Sequence, residues 1–131
     1  MESNKLFILI IVASSLLGFF LGIYNNKIIY PKETGTEKGT GFFIKLFHDN
    51  GPLFCLMTYE HIITNEIIEK NKTIEIYYDN QKKRIKIKLN KNERFIKNFS
   101  ELNIDCTIVE ILPNDNISED YFFITKYRLF K

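Results

Sequence analysis

The chain has 131 residues, 18 Lys+Arg against 16 Asp+Glu, and 45% hydrophobic residues. That length allows one ordinary domain and not two. The formal charge of +2 argues against a strongly basic nucleic-acid binder, and two cysteines exclude a disulfide-dense mini-protein.

The hydrophobic residues are concentrated at the N-terminus. Residues 6–24 (LFILIIVASSLLGFFLGIY) carry no charge and are flanked by Lys5 and Lys27. A bilayer core takes a helix of about 20 apolar residues, so a transmembrane helix is expected over residues 6–24. Ala13-Ser14-Ser15 also resembles the small-residue end of a signal peptide. The apolar continuation through Leu16, Leu17, Phe19, Phe20 and Leu21 favours an anchor over a cleaved signal. Lys5 and Lys27 balance each other and give no orientation. Residues 1–30 as anchor or signal imply the secretory pathway, with a single-pass membrane protein or, after cleavage, a secreted one. Residues 31–40 (PKETGTEKGT) are polar and rich in Gly and Thr, which is linker composition.

Residues 41–131 read as a small all-β domain. The segment 41–47 (GFFIKLF) has strand composition, Asp49-Asn50-Gly51-Pro52 is a turn signal, and 53–58 (LFCLMT) returns as the second strand of a hairpin. Within 61–70, Ile62, Ile63, Ile67 and Ile68 are spaced for one or two helical turns. Residues 73–78 form a strand and Asp79-Asn80 a turn. Residues 82–89 alternate, with Arg84, Lys86 and Lys88 on one face and Ile85, Ile87 and Leu89 on the other, the period of a half-buried strand. A further short strand is expected within 93–99 and another over 105–112. This succession predicts one small antiparallel barrel with a short helix.

Three segments carry a family resemblance. Leu56-Met57-Thr58-Tyr59-Glu60-His61 resembles the strand-to-helix turn that holds the catalytic histidine of trypsin-like, chymotrypsin-fold serine proteases. The family's pattern there is apolar-apolar-Thr-Ala-Ala-His, with Tyr59-Glu60 standing here for the two alanines and Ile62 for the usual cysteine. Asp105-Cys106-Thr107-Ile108-Val109-Glu110-Ile111 resembles the strand that opens on the triad aspartate. Gly39-Thr40-Gly41-Phe42-Phe43-Ile44 is similar to the Gly-Ser-Gly-Phe strand of the first barrel. Their order matches the family's, and together they span residues 39–112. The resemblance implies the first half of a chymotrypsin-like fold, with His61 as the base and Asp105 as its orienting acid.

The family's nucleophile lies in Gly-Asp-Ser-Gly-Gly on a second barrel. Here no glycine follows Gly51, and Ser3, Ser14, Ser15, Ser100 and Ser118 all lack that context. The expected function is therefore a truncated or degenerate, membrane-anchored endopeptidase domain that is not proteolytic alone. The competing expectation is a membrane-tethered, non-enzymatic β-domain that binds a protein partner.

The other polar features are less specific. His48-Asp49 is most simply a solvated turn. Cys55 and Cys106 sit in apolar strands as small buried hydrophobes, and a disulfide between them stays open. No His/Cys cluster has metal-ligand spacing, and no cofactor is expected. Residues 80–92 hold six cations and no acid. Such a run is commonly an exposed strand face whose lysines discourage edge pairing, with anionic lipid or nucleic acid as alternatives, nucleic acid not being expected. Asn71, Asn98 and Asn116 stand in sequons usable only if the domain is lumenal.

Overall fold

In the computed structural model, residues 26–48 and 51–124 are described. The expected anchor at 6–24 and the His48-Asp49 turn at its Asp49 end lie outside them. Among the described residues no helix is long and apolar enough to cross a membrane.

The domain is mostly strand. In chain order come β1 (Asn26–Lys32), β2 (Gly35–His48), β3 (Gly51–Thr58), helix α1 (Asn65–Glu69), β4 (Thr73–Tyr78), β5 (Lys83–Lys88), β6 (Ile96–Asn98), β7 (Thr107–Glu110) and β8 (Phe123–Ile124). The sheet runs β5-β4-β1-β2-β3-β7-β6, antiparallel throughout, with β8 added in parallel to β2.

Two expectations are corrected. Residues 31–40 are not a linker. They form the turn end of the β1–β2 hairpin, in a continuous ladder from Asn26↔Gly41 to Lys32↔Gly35, and β1 also takes in residues assigned to the N-terminal segment. Their polar composition reflects exposure, because this end of the hairpin projects beyond the core. The barrel, in turn, is a curled half-barrel, open between β5 and β6 among the described residues. After β5 the backbone leaves the ladder. Leu89 donates to the Lys72 carbonyl, and the Asn90 side chain and carbonyl take the amides of Asn92, Glu93 and Arg94. β5 and β6 are thus separated by a turn bonded to itself, and they do not pair.

Both faces of the central strands are buried, by different neighbours. One core cluster fills the concave side, with Ile28, Phe43, Leu56, Ile63, Ile68, Ile74, Ile76, Val109 and Phe122. The other covers the opposite face of β2, β3 and β7, with Phe42, Ile44, Leu46, Cys55, Met57, Phe99, Cys106 and Ile108. Phe43 lies edge-on to Tyr78 at 5.6 Å between ring centroids and 5.1 Å from Phe122. β4 and β5 are buried on the concave side only, as the alternation of 82–89 predicts: Ile87 and Leu89 are buried, while Arg84, Lys86 and Lys88 are exposed.

With no glycine after Gly51, polar residues take the left-handed turn conformations. Asn71, Asp79, Asn80, Gln81, Asn103 and Asn116 all have positive φ. Asn and Asp tolerate this region because their short polar side chains bond locally.

At Gly41 the requirement is space. A Cβ there would stand 2.7 Å from Ile28 Cδ1 and 3.0 Å from the Met57 carbonyl oxygen, which is held in the β2–β3 ladder. Gly41→Ala is therefore expected to destabilise the domain by about 1–3 kcal/mol. A fall in the urea midpoint with an unchanged slope checks it.

Candidate functional site

The His61 turn follows β3, and Asp105 precedes β7. These two strands are antiparallel neighbours, with Thr58 opposite Thr107. The end of one and the start of the other therefore meet at the same edge, which brings together residues 44 positions apart. The Asp105 carboxylate lies 3.7 Å from His61 Nδ1 and accepts a 2.9 Å hydrogen bond from the Glu60 amide. At 3.7 Å the His61–Asp105 contact is electrostatic rather than a hydrogen bond. Both side chains are open to solvent, 66% and 56% exposed, so the attraction is screened.

The turn itself is held from three sides. Thr58 Oγ1 donates to the Thr40 carbonyl at 2.6 Å, tying the end of β3 to β2. Ile62 lies against Gly39, where a Cβ would come within 2.7 Å of Ile62 Cδ1. The Gly-Thr-Gly segment thus has a local reason: Gly39 admits the residue after His61, and Thr40 anchors the strand before it. Below, Asn98 Nδ2 donates to the Ile63 carbonyl at 3.0 Å and to Thr107 Oγ1 at 2.9 Å, while Thr107 Oγ1 donates to the same carbonyl at 2.8 Å. Asn98 Oδ1 accepts from the Ser100 amide at 3.0 Å. Thr64 then caps α1 by accepting from the Ile67 amide, and Ile67 and Ile68 pack into the core.

The ring of Tyr59 stacks on His61, with centroids 5.4 Å apart and planes 19° from parallel. Glu60, His61, Ser100, Asn103, Ile104 and Asp105 line a shallow hollow of about 310 Å³. Closing the His61–Asp105 gap to hydrogen-bond distance would place a proton on Nδ1 and leave Nε2 to accept one.

Sequence reasoning missed the Asn98–Thr107 node. Asn98 drew attention only as a sequon. Its amide is buried, 7% exposed, and donates within the domain, so folded Asn98 is not a glycosylation acceptor. The available signal was a lone amide between the buried Ile96 and Phe99.

Cys55 and Cys106 are free thiols in the second core cluster. Burial, with the nearby Cys106 and Glu110 charges adding to it, pushes Cys55 well up. Burial, together with the Asp105 carboxylate, pushes Cys106 up to about 12. Both thiols therefore stay protonated and are expected to resist iodoacetamide at neutral pH until urea unfolds the chain. A thiol raised in the folded state favours folding below its ordinary value of 9.0, and that contribution is lost as pH climbs towards about 12. Stability measured from pH 8 upward is expected to decline, less so in Cys106→Ala relative to its own value at pH 8.

Among the described residues, no group of three or more His, Cys, Asp and Glu is placed to hold a metal ion. Comparison with protein-family models, with curated proteins and with solved structures finds no match.

Proposed function

We propose that this chain is the first-barrel half of a trypsin-like serine endopeptidase, anchored to a membrane through residues 6–24. In this reading His61 occupies the base position, Asp105 orients it, and the chain does not cleave peptides alone. The observation that carries it is the Asp105 carboxylate, 3.7 Å from His61 Nδ1 and bonded to the amide just before that histidine. Two further features support it. The three resembling segments converge on one turn, through Thr58 on Thr40 and Ile62 on Gly39. The strand order also sets β7 beside β3 and β4 beside β1, as a barrel cut open between β5 and β6 would.

Triad chemistry supports this reading. In a triad the base removes the serine proton and the carboxylate stabilises the resulting imidazolium, while backbone amides hold the oxyanion. Serine and oxyanion amides come from a glycine-rich loop, and no glycine follows Gly51. The exposure of His61 and Asp105 fits a pair whose covering wall is supplied from elsewhere.

The test is to isolate the full chain with its natural partners and treat it with a fluorophosphonate probe. The expected result is that a co-purifying polypeptide is labelled and this chain is not. His61→Ala should abolish that labelling while the complex stays intact. Labelling of this chain itself, which would point to Ser100 in the hollow, overturns the proposal. So does undiminished labelling with His61→Ala, or no labelled polypeptide at all.

A second reading is a non-enzymatic, membrane-tethered module that binds a protein. Its supporting observation is the pair of exposed large hydrophobics, Phe95 and Leu102.

A further inference from the structure

The cations of residues 80–92 do not stop at the edge strand. The ladder registers lay out rows across the convex face of four strands. Thr40, Lys27, Tyr77 and Arg84 form one row, followed by Lys38, Ile29, Glu75 and Lys86, with the Thr73–Lys88 pair of β4 and β5 beyond. These rows hold five cations and one acid, and the acid, Glu75, is already 3.5 Å from Arg84. Edge protection accounts for Arg84, Lys86 and Lys88 on β5. It does not account for Lys27 on β1 or Lys38 on β2, which lie two and three strands inward.

The same face begins where the apolar segment ends. Only Asn25 separates Tyr24 from Asn26, the first residue of β1, so the Lys27 row lies within about 10 Å of chain from residues 6–24. There, Lys27 sits 4.5 Å from the Tyr77 ring centroid. Lys27, Lys38 and Tyr77 border a hollow of about 510 Å³, which can admit a phosphate headgroup. The rest of the charge is segregated. Residues 93–124, which build β6, β7 and the Asp105 loop, carry seven acids against two bases.

We infer that the convex face of β2-β1-β4-β5 docks on an anionic lipid surface, that of the bilayer entered by residues 6–24. The inference rests on the anchor reading of that segment and is independent of the protease reading. Basic groups beside an anchor are attracted to the negative leaflet, and the acids of residues 93–124 lie outside the β2-β1-β4-β5 rows. The domain is thereby held in one orientation instead of swinging on its tether.

The test uses the full chain reconstituted in phosphatidylcholine vesicles with and without phosphatidylserine. A dye is placed at Thr73→Cys on the face, or at Leu102→Cys in the acidic segment; Cys55 and Cys106 are buried and stay unlabelled. Quenching by headgroup spin-labelled lipid should be several-fold stronger at position 73 than at 102, only with phosphatidylserine, and should fade in high salt. Lys86→Glu, on the exposed surface, should weaken docking by about fivefold or more while the chain still floats with the vesicles. Equal quenching at both positions in a chain that floats with vesicles overturns docking and leaves the anchor standing. Failure to float with either vesicle overturns the anchor and docking together, with the fluorophosphonate result unaffected. Protection of position 73 by a single-stranded oligonucleotide, without lipid quenching, overturns it in favour of nucleic acid.

Discussion

Arg94→Ala or Asp115→Ala is expected to destabilise the domain by about 3–5 kcal/mol, because each leaves an uncompensated buried charge. The pair is bidentate, with Arg94 Nη1 2.7 Å from Asp115 Oδ2 and Nη2 3.2 Å from Oδ1. The two side chains are 8% and 9% exposed. Arg94 also donates to the Glu110 carbonyl at 3.0 Å, and Asp115 accepts from the Leu112 amide at 2.7 Å. Together they clamp the connection entering β6 to the chain leaving β7. Their net worth is a separate matter. Arg94 Nε is buried without a partner, a sign that desolvation is incompletely offset. The double variant Arg94→Met/Asp115→Leu is therefore expected to lose far less than either single alanine variant, about as stable as the parent chain. Urea unfolding of all four proteins checks this. Additive losses in the double variant would mean that the two residues do not act as a pair.

Asn98→Leu is expected to cost about 2–3 kcal/mol and to loosen the His61 turn. Leucine keeps much of the volume but strips the Ser100 amide of its acceptor and removes one of two donors to the Ile63 carbonyl. Leaving buried polar groups short of partners costs about 1–3 kcal/mol. Thr107→Val removes the other donor to the same carbonyl. The combined loss should depart from the sum of the single losses, because the two side chains bond each other at 2.9 Å. Hydrogen exchange supplies the structural readout: the amides of Ile62 and Ile63, both bonded to the Tyr59 carbonyl, should lose protection in Asn98→Leu before the β2–β3 ladder does. If both regions loosen equally, Asn98 stabilises the whole sheet and does not specifically hold the turn.

Much of the fold was legible where a residue's surroundings are set by near neighbours. Alternation over 82–89 marked β5 and its faces correctly, and the isoleucines of 61–70 marked α1, though only Asn65–Glu69 is helical. Asp79-Asn80 marked a turn that uses positive φ at both residues. The stretch 31–40 was not legible, because its strand character comes from pairing with β1 and from no apolar pattern of its own. β8 was hidden for the same reason, being two residues paired in parallel to a strand far earlier in the chain.

The candidate site divides in the same way. His61 and Asp105 were singled out only through the family resemblance of the segments around them. Their 3.7 Å separation and high exposure came only from the meeting of β3 with β7. The Asn98–Thr107 node left almost no trace, because its bonds to the Ile63 carbonyl reach 35 and 44 positions along the chain.

The sequence by itself determined the β character of the domain, the position of its short helix and the two faces of β5. Periodicity, turn chemistry and residue type act over a few neighbouring positions, so one chain read in order displays them. Tertiary structure alone decided that the sheet stays open between β5 and β6, and that the His61 turn rests on a buried amide. It also decided that cations from β1, β2 and β5 share one face. Each of these depends on ladder register, which is settled by which strands pair and cannot be read from any one of them.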